Sequence, residues 1–324
     1  MSAARADGDP SVHGATRSSG LRRELGATIR EERTNAGGHP VRYLTAGDGP
    51  PLVLLHALGD NALDWSWVLP ALSQNHRVYA PVLPGIGGDG GILGGPSPVF
   101  FASFVTAFLD TLGVGRAAIV GNSYGGLVAL RLALSDPVRV SALGLVDSAG
   151  LGRTVSYALR TPTLPGYGEL AIAWARTPPG AAQRAWLKAN LLFAHPRLVP
   201  AEWLSEQHGL ARTPGFLEAT LGALRAQIGP GGQREVLLEE LHTLTMPTLL
   251  VWGACDRIFP RRQAEDAIAL LEKGRLAVIP DCGHLPQVEC PDRFADTLGR
   301  FLDEMKPLTG STESPENTTR KEKR

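Results

Sequence analysis

Three observations predict an α/β protein, an open and mostly parallel sheet flanked by helices, with a helical insertion. Short continuous apolar runs alternate with segments of helical periodicity along most of the chain, the signature of parallel strands joined by crossover helices. Residues 117–130, AAIVGNSYGGLVAL, read as strand, sharp turn and helix, with Ser123 at the apex. The alternation stops after residue 150 and returns near residue 236, so 151–235 reads as an insertion at the C-terminal end of a strand.

The elements follow in order. Residues 1–22 are rich in Ser, Gly, Ala and Arg and read as a disordered tail. Thr28–Thr34 and Val41–Thr45 are expected strands around an Asn35-Ala36-Gly37-Gly38 turn. Pro51–His56, PLVLLH, is apolar without alternation, as suits a strand buried on both faces. Ala62–Gln74 is expected as one helix carrying Trp65, Trp67, Val68 and Leu72, and Arg77–Leu83 as the next strand. The glycine-rich stretch 86–98 lacks the lysine and Ser/Thr of a phosphate loop and reads as a surface loop. In Val99–Leu112, Phe101, Phe104, Val105, Phe108 and Leu109 recur at helical spacing. Val140–Val146 is a strand ending at Asp147. Within 151–235, prolines break the chain into short helices whose aromatic residues are expected mostly to form the insertion's own core. Beyond it come a helix at Gln233–His242, a strand at Thr248–Trp252, a helix at Arg261–Leu271, a strand at Arg275–Ile279 and one last helix at Pro286–Met305. The expected organisation is thus a core of 23–150 and 236–305, a helical cap of 151–235, and a polar, disordered tail of 306–324.

Composition narrows the function. The 324 residues carry 32 Lys+Arg against 32 Asp+Glu, so nothing in the charge balance points to nucleic acid. Three cysteines, Cys255, Cys282 and Cys290, make no disulfide framework and no zinc-type spacing, and no metal or cofactor is expected. Cys255 and Cys282 are read as small core residues. The N-terminus has no apolar signal core, and no apolar run reaches membrane-spanning length. A cytoplasmic protein is the expectation, and the aromatic residues in 151–235 suggest an apolar pocket for a small apolar substrate.

The turn Gly121-Asn122-Ser123-Tyr124-Gly125 fits G-x-S-x-G, in which a serine is held on a strained strand-to-helix bend. The bend brings the positions two before and two after the serine nearly together, where only small side chains fit, as Gly121 and Gly125 do. A serine hydroxyl is a weak nucleophile and needs a base, which in turn needs an orienting acid. Two later strand exits supply them in the order Ser, Asp, His: Asp256 after LLVWGAC and His284 after IPDCG. Asp147, at another strand exit, is a rival for the acid. The backbone N–H groups of Leu58, in the loop after His56, and of Tyr124 are the candidate oxyanion donors. Of the histidines near the insertion, His195 and His208 are candidates for substrate contact.

The stretches VLLHALG, DWSWVLPAL, RVYAPVLPGIGG, GNSYGGLVAL, LLVWGACDRIFP and IPDCGHLPQVECPDRF together resemble the capped α/β-hydrolase-fold serine hydrolases over roughly residues 25–305. The family usually has His-Gly where this chain has His56-Ala57, and commonly Asp at the position of Val82. The resemblance implies hydrolysis of a carboxylic ester or lactone through an acyl-enzyme on Ser123. GNSYGG and CGHLPQVECP are similar to the branch that cleaves carbon–carbon bonds in ring-cleavage dienoates, whose longer glycine-rich loop is missing from HALGDN. A cofactor-free perhydrolase and a ligand-binding module are further uses of the same fold.

Overall fold

In the computed structural model, which describes residues 29–88 and 97–305, the apolar runs assemble into one eight-stranded sheet. Its strands are β1 (Arg30–Ala36), β2 (His39–Ala46), β3 (Pro51–Leu55), β4 (Arg77–Pro81), β5 (Ala117–Asn122) and β6 (Val140–Val146), and after a two-stranded hairpin of β7 (Ile228–Gly229) and β8 (Gly232–Gln233), β9 (Thr248–Gly253) and β10 (Gly274–Ile279). The order is β1-β2-β4-β3-β5-β6-β9-β10. β1 and β2 pair antiparallel, as do β2 and β4, and every neighbour from β4 through β10 is parallel. Gly37 and Gly38, at φ 57° and 84°, make the β1–β2 turn, where two successive positive φ angles favour glycine. The expected tails at 1–22 and 306–324 and most of the glycine-rich stretch lie outside the described residues.

The strands at the sheet's centre are buried on both faces, which is why they read as continuous apolar runs. Val53, Leu55 and Ile119 pack into one layer, with Phe101 and Phe108 of helix α1 (Pro98–Thr111) and Leu127 and Leu130 of helix α2 (Tyr124–Ser135). Leu52, Leu54 and Val120 face the other layer, with Trp65, Leu69, Phe294 and Leu298. Each such side chain contributes about 1.5–3 kcal/mol by leaving water.

Between β6 and β9 the chain forms α3 (Tyr167–Ala175), α4 (Pro178–Leu192), α5 (Ala201–Arg212) and α6 (Phe216–Gln227). α4 starts where Thr177 accepts a hydrogen bond from the Gly180 N–H at 3.1 Å, with proline at the first helical position. The expectation for the aromatic residues here is corrected. Phe193, Trp203 and Phe216 are buried, whereas Tyr157, Tyr167, Trp174 and Trp186 are each more than half exposed.

Three expected helices differ. Ala62–Gln74 divides into a 3-10 turn at Ala62–Trp65 and one α-turn at Leu69–Leu72. Pro70 has no N–H to continue a helix through it and sits in the first turn of the second piece. The last helix is broken at Cys290 (φ −130°, ψ 52°), because the following Pro291 excludes helical geometry from the residue before it. A short turn at Pro286–Glu289 therefore precedes α8 (Pro291–Asp303), and α7 (Arg262–Ile268) lies between β9 and β10. Gln233–His242 is helical only as a 3-10 segment at Glu239–Thr243. Upstream, its backbone bonds outward, Gln233 N–H to Arg153 and Leu237 N–H to Gly150, which removes the donors a helix needs.

Candidate active site

Every residue from 117 to 130 is buried except Ser123. Its backbone stands at φ 54°, ψ −115°, a conformation that is costly for a residue with a side chain. The surrounding packing enforces it. A Cβ on Gly121 would lie 2.1 Å from the Gly125 carbonyl oxygen, and one on Gly125 would lie 2.3 Å from that of Leu55. Ser123 donates its N–H to the Val146 carbonyl at 2.9 Å, and its own carbonyl accepts from Gly126, Leu127 and Ala149. The three non-glycine residues with positive φ among the described ones, Ser123, Asp147 and Asp281, all follow strands at this edge of the sheet. Strain of this kind concentrates at functional sites.

His284 and Asp256 come together in the interior. Nδ1 of His284 is 3.0 Å from Oδ2 of Asp256, with both side chains at most 3 % exposed. The acceptor at Nδ1 places the ring proton there and leaves Nε2 as a lone pair. Asp256 also accepts from the Ile258 N–H at 2.7 Å, and the Phe259 ring packs edge-on to the imidazole. Ser123, Tyr124, Leu58 and His284 line one cavity of about 1000 Å³ roofed by the insertion. Among the described residues, the Leu58 N–H has no backbone acceptor.

Asp147 lies in the same cluster: its carboxylate, that of Asp256 and the His284 ring nitrogen are within 4.8 Å of one another. Three such groups are also a donor set that could hold a metal, although hydrogen bonds already occupy Oδ1 of Asp147 and Oδ2 of Asp256. Oδ1 of Asp147 accepts from the Gly253 N–H at 2.9 Å, while His284 is bonded to Asp256. Burial, and next the Asp256 charge, raise the Asp147 carboxyl well above its ordinary value of 3.8, against the lowering effect of the Gly253 N–H. Unfolded, this carboxyl loses its proton near its ordinary value, and folded it keeps it to higher pH. The folded state thus binds the extra proton, and its stability declines as pH rises above about 4. Asp147→Asn, an uncharged isostere, is expected to melt increasingly above the parent as pH rises, by up to about 1.4 kcal/mol per pH unit. Thermal melts from pH 4 to 8 check this, and a difference that does not vary with pH refutes it.

Several site residues carried no signal in the sequence. His56 is a latch: Nε2 accepts from the Leu83 N–H at 2.9 Å, so Nδ1 donates to the Ala57 carbonyl at 2.8 Å and holds the loop that carries Leu58. Asn122 donates to the carbonyls of Val146 and His284, at 3.1 and 3.0 Å, and accepts from Gln287 at 3.2 Å. That network ties the elbow strand to the histidine loop. The available hints were position alone, directly before Ser123 and three residues after His284. Cys255, read as a core residue, is exposed instead; its backbone N–H bonds to the Cys282 carbonyl while its side chain points away from the core. His195 and His208 do not line the cavity.

A parallel sheet, a serine bend at the end of its fifth strand and a roofed cavity define the class of α/β hydrolases. The chain belongs to the alpha/beta hydrolase family, whose model matches residues 52–297. It is 33% identical to a dihydrolipoyllysine-residue acetyltransferase component of the acetoin cleaving system of Pseudomonas putida, over 84% of this chain and 69% of that one. It is 30% identical to a 2-hydroxymuconate semialdehyde hydrolase of Pseudomonas putida, over 84% of this chain and 94% of that one. Among solved structures it is similar to a bacterial membrane phospholipase A, with TM-score 0.72 and 26% identity over 89% of this chain and 90% of that one. Among the described residues, no helix is long and apolar enough to cross a membrane.

Proposed function

We propose that the protein hydrolyses a carboxylic ester or lactone through an acyl-enzyme on Ser123. The observation that carries the reading is the buried His284–Asp256 hydrogen bond beside a cavity that Ser123 also lines. Nε2 of His284 takes the Ser123 hydroxyl proton as Oγ bonds to the carbonyl carbon. The Leu58 and Tyr124 N–H groups stabilise the resulting oxyanion, at roughly 3–4 kcal/mol per donor. The C–O bond to the leaving group then breaks, and the proton passes from His284 to the departing alkoxide. Water, deprotonated by His284, then adds to the acyl carbon, the bond to Ser123 Oγ breaks, and Oγ takes the proton back from His284 as the acid leaves. Asp256 holds the ring in the Nδ1–H tautomer and stabilises it when charged. Asp147, fixed by the Gly253 N–H, stands beside Asp256 rather than replacing it.

A second reading is hydrolysis of a carbon–carbon bond in a dienoate, favoured by the similarity to 2-hydroxymuconate semialdehyde hydrolase. Intact-mass measurement after fluorophosphonate treatment, with peptide mapping, tests what the two share: one adduct on Ser123, absent in His284→Ala. No adduct overturns both. Turnover of p-nitrophenyl esters and lactones against bleaching of a dienoate chromophore then divides them.

A further inference from the structure

Two cations stand on the inner face of the cavity's roof. In α4, Ala181, Ala185, Ala189 and Leu192 are buried, and Arg184 and Lys188 share that face at helical spacing. Both line the cavity that contains Ser123, although a helix normally turns such residues to water. Their surroundings differ. The Lys188 ammonium donates to the Gly59 carbonyl at 2.6 Å, to Gln207 at 2.9 Å and to the Asp60 carboxylate, so its three donors are used. Asp60 is 1 % exposed and also accepts from the Gln207 amide. This set closes on itself.

Arg184 has no comparable partner. Among the described residues its one hydrogen bond is a 3.5 Å contact with the Gln207 Oε1 that already accepts from Lys188. No carboxylate among the described residues lies within ion-pair distance of it. The Phe216 ring, with its centroid 6.0 Å from the guanidinium carbon, is its other neighbour. Burial lowers the Arg184 pKa, and Asp60 only opposes this from a distance. A guanidinium presents five N–H donors in a planar fork and stays charged. Nη2 is 3.9 Å from where a Cβ on Gly59 would stand, and Gly59 adjoins Leu58 in the oxyanion loop. A partly buried cation with open donors is therefore held beside the reacting end of the cavity.

We infer that Arg184 is the anchor for a carboxylate carried by the substrate. The natural esters are then monoanionic, with the scissile carbonyl at Ser123 and a free carboxylate paired with the guanidinium fork. The substrate class is that of half-esters and carboxylated lactones. This deepens the hydrolase reading and rests on it for the position of the carbonyl, but the anion site itself rests on Arg184 alone. A carboxylate there gains charge-assisted, two-pronged hydrogen bonds in surroundings that strengthen them. A neutral ester of the same shape leaves the donors empty.

Two experiments test the inference. In the first, Ser123→Ala protein is titrated calorimetrically with glutarate and with its neutral diamide. Glutarate is expected to bind at least tenfold more tightly. Adding Arg184→Met abolishes the difference, and adding Arg184→Lys keeps only part of it, because an ammonium lacks the fork. In the second, kcat/KM is measured for the p-nitrophenyl monoester of glutaric acid and for neutral p-nitrophenyl valerate. The charged-to-neutral ratio is expected to fall about tenfold to a hundredfold in Arg184→Met, mostly through KM, since the contact is made equally in ground and transition states. Equal binding of glutarate and diamide, or a ratio unchanged by Arg184→Met in protein with the parent's melting temperature, overturns the inference. Carboxylate binding that depends on Arg184 without turnover of any ester would uphold the anion site and reject the ester reading.

Discussion

Ser123→Ala is expected to lower kcat on any ester the protein turns over by about 10⁴- to 10⁶-fold, while leaving the fold and melting temperature nearly unchanged. The alanine deletes one oxygen at the sole residue between 117 and 130 that is not buried, so packing loses little. The chemistry loses its nucleophile, and what remains is the oxyanion loop and the binding of substrate. Ser123 and His284 act as one unit, so Ser123→Ala/His284→Ala should be scarcely worse than either single change. Steady-state kinetics with burst-phase analysis, beside thermal melts of the three variants, check this. Retention of most of the parent's activity by Ser123→Ala would remove the acyl-enzyme mechanism, and losses that multiply in the double variant would mean that the two side chains act separately.

Gly125→Ala is expected to destabilise the protein strongly for a change of one methyl group. The new Cβ would stand 2.3 Å from the Leu55 carbonyl oxygen and 2.7 Å from that of His56. Both atoms are backbone, one in β3 and the other at its exit, so no side chain can rotate away. α2 must move off the sheet, tilting the Ser123 bend and the loop that carries Leu58 together. The cost is about 3 kcal/mol or more, within the upper range for overpacked cores, and the melting temperature should fall by roughly 5–10 °C. Gly113→Ala is the control: nothing lies within 4 Å of its Cβ position, although its φ of 67° carries its own smaller strain. Calorimetric melts of both variants check the prediction. A Gly125→Ala protein as stable as the parent would mean that the helix and β3 are not in the contact described.

What could be read in advance follows from the range of the interactions. β3, β5, β6 and β9 are buried on both faces, so their apolar runs needed no partner to be recognised. The elbow was legible for the same reason, since its glycine spacing is a steric rule acting within five residues. His284 and Asp256 could be proposed because each follows such a strand. Some errors lie where distant contacts override local preference, while Pro70 and Pro291 divide two expected helices from within the sequence. Gln233–His242 has helical composition, yet its first residues bond to the loop after β6. Arg184 and Lys188 look like solvent-facing residues of a polar helix, and only the fold turns them inward over Gly59. Cys255 follows the fully buried β9 by two residues but is itself exposed.

The roof is fastened to the loops that carry the chemistry. The His284 N–H donates to the Leu192 carbonyl at 2.7 Å, Asn61 to Glu206 at 2.6 Å, Lys188 to the Gly59 carbonyl, and the N–H groups of Ala194 and His195 to Glu289. A hinged cover would have to strip a hydrogen bond from the histidine's own backbone each time it lifted. On the roof, Leu170, Trp174 and Leu187 line the cavity and are each more than half exposed. On the proposed hydrolase reading, trimming these three side chains is expected to admit bulkier esters while leaving the His284–Asp256 pair untouched.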